Sequence, residues 1–327
     1  MPTPVRQSPV IHGHDGIPSK VPWCAVIVYI GVTFTGISAV ALAWSRSGDM
    51  NNEADALLFG GLGMCTPTLG LLIAATVTGE IRRPGRLLAS TGISRPASWT
   101  RLARFLAIAL LLPFALLAAT LAIATSAGTY RFHEPFPAGP LVSELITNTV
   151  TFVPLLVLVF GEEWGWGYLL TRLLPLGLLR GILLSGLIWG LFHAPLTLQG
   201  YLYLDLPGPV GAALFTLGSI LLGCVMAWIR IASSSLWPAV ILHGSSNLLV
   251  NPIPAVVGAA VDPRATAFHT SIPGSWPSWI ALSTVIAVLV VTGRFRALSP
   301  HPEIRPSGKS CESRRGPATG SASGTSR

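Results

Sequence analysis

Apolar stretches about as long as a bilayer is thick leave this chain few folds to choose from. A helix needs about 20 predominantly apolar residues to cross the hydrocarbon core. Runs of that size occur at 21–44, 57–78, 105–126, 141–160, 178–196, 210–229 and 236–259, with a shorter one at 276–292. In lipid every backbone N–H and C=O must be paired within its own segment, so such runs become helices. The first is too long for the apolar part of a signal peptide and reads as an uncleaved span. Composition agrees, because only 10% of the 327 residues are charged, against about 25% in a typical soluble domain. The expected fold is all-α and polytopic, with about eight transmembrane helices.

Charge sets the expected orientation. With both termini in the cytoplasm, eighteen of the 21 Lys and Arg residues fall on the cytoplasmic side, and only Arg46, Arg131 and Arg264 on the other. That asymmetry follows the positive-inside rule and favours an even number of spans. The net charge of +8 therefore reflects arginines flanking spans and calls for no nucleic-acid partner. Cys24, Cys65 and Cys224 sit in apolar runs and Cys311 in the tail, with no CxxC spacing. Neither a disulfide framework nor a thiolate zinc site is indicated.

Outside the spans, residues 1–20 form a polar N-terminal segment. Three spans occupy 21–140, with a basic connector at 79–104 that reads as an ordinary positive-inside loop, a segment lying on the anionic inner leaflet being the second reading. An outer loop and the last span follow at 260–298. From 299 to 327, Pro, Ser, Gly and Arg dominate, and the tail is expected to be disordered.

One feature does not suit lipid. Glu162 and Glu163 close the apolar run 141–160, inside Phe160-Gly161-Glu162-Glu163-Trp164-Gly165-Trp166-Gly167-Tyr168. A charge near the middle of a membrane helix costs roughly 2.5–3.5 kcal/mol on insertion scales, so such residues face protein or a wet cavity and find partners on other helices. Successive helical residues point about 100° apart, so the two carboxylates are expected to do different jobs near the cytoplasmic end of the fourth span. Trp164, Trp166 and Tyr168 suit a membrane–water interface.

Three polar residues in later spans are candidate partners. Trp189 and His193 stand at i and i+4 in the fifth span, and His243 and Asn247 at i and i+4 in the seventh, each pair on one helix face. Read alone, His193 or Asn247 is a helix-packing hydrogen-bond group. Together, a carboxylate, two imidazoles and an amide suit water activation: a poorly solvated carboxylate serves as general base, and imidazole and amide groups stabilise an oxyanion. Two His and one Glu also match the ligand types of a catalytic zinc site, so a Zn2+ held by Glu162, His193 and His243 stays open beside the metal-free reading. The HExxH arrangement is absent, since Ala194 and Pro195 follow His193.

Glu162-Glu163 followed by Gly165-Trp166-Gly167-Tyr168-Leu169, the span bearing Trp189 and His193 and the span bearing His243 and Asn247 resemble the CAAX-processing protease and bacteriocin-processing family. These are intramembrane endopeptidases that include the Ras-converting enzyme. The resemblance covers about residues 141–251. It implies a four-helix catalytic bundle over 141–259, with Glu162 activating water, His193 as its partner, His243 and Asn247 forming the oxyanion hole, and Glu163 in support. It further implies a membrane-embedded or lipidated peptide or protein as substrate, and a multi-pass protein of the plasma membrane whose active site faces the cytoplasm. One departure matters. The family's first motif reads Glu-Glu-x-x-x-Arg, and its Arg position holds Gly167 here; Arg172 is the nearest arginine further along. A catalytically silent relative acting as an immunity or scaffold protein is the first rival reading. A small proton-coupled transporter, since intramembrane Glu and His also build proton relays, is the second.

Overall fold

The computed structural model describes residues 18–49, 52–96, 98–203 and 206–298. The tail at 299–327, with Cys311, and all but the last three residues of the N-terminal segment lie outside them. The described chain is almost wholly helical. Its helices are α1 (Trp23–Ser47), α2 (Glu53–Val77), α3 (Pro84–Thr91), α4 (Trp99–Ser126), α5 (Ala138–Leu173), α6 (Leu178–Phe192), α7 (Ala194–Thr197), α8 (Gly208–Ser233), α9 (Trp237–Gly244), α10 (Ile253–Val257), α11 (Thr266–Thr270) and α12 (Trp276–Val291). A π-helical turn, Ser245–Val250, carries α9 towards α10. Two short strands, β1 (Tyr130–Phe132) and β2 (Gly258–Ala260), pair antiparallel with Tyr130 opposite Ala260.

Among the described residues, seven helical segments are long and apolar enough to span a membrane, with Trp276–Val291 as a shorter apolar helix. This is a multi-pass helical membrane protein. Large apolar side chains such as Ile27, Leu111, Val153 and Val157 remain exposed on its outer faces, as a lipid-facing surface requires.

The longest helix departs most from the sequence expectation. α5 does not stop at Phe160 but runs on to Leu173, 36 residues in all. The charged, glycine-rich stretch looks like a helix end in sequence. Yet Gly costs a helix interior only about 1 kcal/mol relative to Ala, and tertiary contacts offset that cost. The stop comes later, at the turn Leu174–Leu176 containing Pro175, where Gly177 takes φ +102°. Glu162 and Glu163 therefore lie inside a continuous helix, and from Glu162 to Leu173 every residue except Trp164 is buried. Trp166 and Tyr168 belong to the core and not to an interfacial belt, because α1 covers them: Tyr29 stands 5.9 Å from the Trp166 ring and 5.8 Å from the Tyr168 ring.

Small residues set the close approaches that carry the site. A Cβ at Gly165 would lie 2.5 Å from the Pro67 backbone, so only glycine lets α5 press against α2 there. A Cβ at Gly190 would lie 2.6 Å from Cα of Thr216, and Gly186 meets Ile220 in the same way one turn earlier. This small-xxx-small pattern lets two membrane helices approach backbone to backbone, here α6 and α8. The basic connector is more than a surface loop. Within it α3 buries Leu87, Ser90 and Thr91, Trp164 Nε1 donates to Thr91 Oγ1 at 3.0 Å, and Gly92 ends the helix at φ +81°.

Candidate active site

Glu162 and Glu163 are both buried, at 2% and 4% exposure, and they serve different partners. Trp166, one turn further along α5, donates its Nε1 to Glu162 Oε1 at 3.0 Å. Trp189, from α6, donates its Nε1 to the same oxygen at 3.1 Å. Two indoles thus fix one oxygen of the Glu162 carboxyl, and Oε2 has no partner among the described residues. Glu163 turns to α9, where its Oε1 lies 2.8 Å from Nδ1 of His243. His243 is buried too, at 3% exposure, and its ring stands edge-on to Trp189 at 5.6 Å. Trp189 therefore touches both halves of the site.

His193 is set by a break in its helix. Pro195 has no N–H to give the carbonyl one turn back, so α6 ends at Phe192 and His193 caps it, its backbone N–H bonding Gly190 O at 3.1 Å. The ring folds back so that Nδ1 lies 2.9 Å from Trp189 O. A carbonyl only accepts, so this nitrogen carries a proton and donates it, and Nε2 is the ring nitrogen left to act. Phe215 packs on the ring at 4.6 Å between centroids, and Phe192 stands edge-on at 5.1 Å. In His243, Nδ1 is likewise engaged by the Glu163 carboxylate, which leaves Nε2 free to act.

Asn247 sits apart from these contacts. It lies on the π-helical turn, is exposed, and no hydrogen bond joins it to His243 among the described residues. The wider turn changes the phase of the helix between the two residues, so the expected stacking on one α-helical face does not apply.

Arg172 does not serve the site. α5 is uninterrupted, so five residues beyond Gly167 the side chain points elsewhere. There it pairs with Glu80, stacks over the Tyr168 ring at 3.4 Å and donates to Thr171 Oγ1 at 3.0 Å. The arginine beside Gly167 is Arg230, from the last turn of α8, and a Cβ at position 167 would lie 3.9 Å from its Nε.

The zinc reading fares less well. Among the described residues, no three His, Cys, Asp or Glu side chains gather as a cation's ligands would.

Sequence reasoning missed the two indole donors. The spacing from Glu162 to Trp166 was visible as an i, i+4 pair. Trp189 was marked only for its place beside His193, and nothing in the sequence joins it to Glu162. Arg230 was counted merely as a basic flank of its span.

Outside the spans, Tyr201 follows the short α7 and its phenol is pushed up by burial and, secondarily, by the charge of Glu162.

A buried carboxyl pair served by indole and imidazole groups from three membrane helices forms an intramembrane polar site. Residues 145–249 match the family model described as type II CAAX prenyl endopeptidase Rce1-like. Over that segment, about a third of its length, the chain is similar to a family of membrane endopeptidases. No curated protein matched the chain. The matched segment contains Glu162, Glu163, Trp166, Trp189, His193, Arg230, His243 and Asn247, whereas α1, α2 and α3, which enclose it, lie outside.

Proposed function

We propose that the protein is an intramembrane endopeptidase that hydrolyses a peptide bond of a membrane-associated or lipidated protein using water activated by Glu162. The observation that carries this reading is the asymmetric hold on Glu162: two indoles pin Oε1, and Oε2 is left for a water. Oε2 accepts a proton from that water as its oxygen attacks the scissile carbonyl. His193 Nε2 holds the water's second hydrogen and fixes its direction of approach. Negative charge then develops on the carbonyl oxygen, where His243, carrying a proton on Nε2, donates to it. Glu163 holds His243 at Nδ1 and orients its ring. Asn247 completes the oxyanion hole when substrate draws the π-helical turn towards His243. The proton on Glu162 passes to the leaving amine, which closes the cycle. Such preorganised donors typically contribute about 10²–10³ in rate each.

In this reading the site lies in the cytoplasmic half of the plasma membrane, on the side the arginine asymmetry assigns. A silent scaffold is favoured by one observation only, the glycine at position 167. The test is cleavage of a quenched fluorescent peptide library by the detergent-purified protein beside Glu162→Gln and His193→Ala. Full activity in Glu162→Gln removes Glu162 from its role. A folded wild type that cleaves nothing across a broad library leaves the scaffold.

A further inference from the structure

Arg230 is a buried charge without a counter-ion in contact. It is 8% exposed, and no carboxylate lies within 4.0 Å of it among the described residues. Its Nη2 donates to Ser90 O at 3.2 Å, and its Nε is sealed from solvent with no partner. Leaving a guanidinium buried and unpaired is costly, so its seat must be built for it. The seat is made of two missing side chains. A Cβ at Gly92 would lie 2.5 Å from Arg230 Cζ, and the backbone there has φ +81°, a second reason for glycine. On the other side lies Gly167, where any longer side chain would run into the guanidinium and into Leu236 Cδ1, 3.1 Å from an added Cβ.

The seat opens on a cavity of about 40 Å3 whose lining includes Arg230, Gly167, Glu163, Trp166 and Trp189. One water needs roughly 10–15 Å3 of such space, so the cavity has room for waters between the guanidinium and the carboxylate. Polar groups from three helices meet at Glu163: Glu162 adjoins it on α5, His243 on α9 bonds it at 2.8 Å, and Arg230 on α8 lines the same cavity. Arg230 thus brings a guanidinium to the cavity that Glu163 also lines.

We infer that Arg230 is the positioning cation of the carboxyl pair, acting on Glu163 through cavity water from a slot that Gly92 and Gly167 leave open. The role rests on the endopeptidase reading for its kinetic consequence but not for its geometry. Gly167 then marks a change in the helix that supplies the guanidinium, from α5 to α8, and not its loss.

The experiment has two arms. In the first, turnover of a cleaved peptide is compared in wild type, Arg230→Gln, Arg230→Lys and the relocation pair Arg230→Ala with Gly167→Arg. The expected result is a kcat lower by about tenfold or more in Arg230→Gln, with KM little changed, since the arginine touches no substrate. Arg230→Lys and the relocation pair should each recover part of that loss. In the second arm, infrared difference spectra against Glu163→Gln identify the Glu163 carboxylate band. That band should move in Arg230→Gln and return towards its place in Arg230→Lys, with thermal unfolding checking that each variant is folded. A folded Arg230→Gln with wild-type kcat and an unmoved band overturns the assignment. So does a band that moves equally in Arg230→Gln and Arg230→Lys. If wild type cleaves nothing, the endopeptidase reading fails, and the infrared arm alone decides the role of Arg230.

Discussion

Trp189 donates its indole N–H to Glu162 across the interface between α6 and α5, at 3.1 Å. The same residue gives its backbone carbonyl to His193, so one side chain and its own main chain orient a carboxylate and an imidazole together. Replacing Trp189 by Phe keeps the ring and removes the donor. We expect kcat to fall by roughly tenfold or more, the lower part of the range for a lost preorganised donor. The double variant with Trp166→Phe should fall further, because Oε1 then loses both partners. Steady-state cleavage kinetics on the purified variants check both statements.

The pair Glu163 and His243 should matter for folding as well as for turnover. Breaking a buried pair by removing one partner costs about 3–5 kcal/mol. Glu163→Ala should therefore lower the unfolding temperature in detergent well below that of Glu163→Gln, which still offers His243 an acceptor. Equal melting temperatures for the two would show that the 2.8 Å contact contributes nothing specific.

Gly190 offers a test of the scaffold alone. A valine there must push α6 away from Thr216, and overpacking of this kind typically costs about 1–3 kcal/mol. The displacement carries Trp189 and His193 with it, so activity should fall more steeply than stability. Gly60, around which an added Cβ meets nothing within 4 Å, is the control: Gly60→Ala should leave the unfolding free energy within about 0.5 kcal/mol of wild type, as surface substitutions usually do.

A chelator should leave the cleavage rate unchanged, because Glu162, His193 and His243 do not converge as a ligand set. A rate that collapses on dialysis against chelator and returns with zinc would mean that these three groups rearrange on binding a metal.

His269 supplies a pH dependence outside the spans. Burial lowers its pKa, only partly opposed by Asp262, and Trp276 donates its indole N–H to Nδ1 at 3.0 Å. A histidine harder to protonate when folded contributes stability that is complete above the unfolded value of about 6.5 and is lost as pH falls from there through the folded pKa. The melting temperature of wild type should drop more between pH 7.5 and 5.5 than that of His269→Gln, measured in parallel.

The spans were legible because a bilayer enforces them: long apolar runs have no alternative to helix, and their positions follow from hydropathy alone. The candidate residues Glu162, Glu163, His193 and His243 stood out for a related reason, since a carboxylate or imidazole in such a run is too costly to be incidental. The length of α5 was hidden, because Gly161, Gly165 and Gly167 read as a helix end until their neighbours are known. They mark the turns where α2, α3 and α8 come closest. The burial of Trp166 and Tyr168 was hidden for the same reason, as an aromatic at a helix end and one under another helix look alike in sequence. The burial of Arg230 could not be read from hydropathy, because a helix-terminal arginine usually lies in the headgroups.

At 36 residues, α5 measures about 54 Å, against a hydrocarbon slab of about 30 Å. A rod of that length must lean or protrude, and the carboxyl pair sits roughly 36 Å along it. His193, by contrast, rides on the 15-residue α6, which is short enough to stand within the slab. Thinning or thickening the membrane therefore changes the lean of one partner more than that of the other and alters their alignment. Lipid chain length becomes a tuning variable for turnover: the host bilayer would act as an allosteric effector with no binding site of its own.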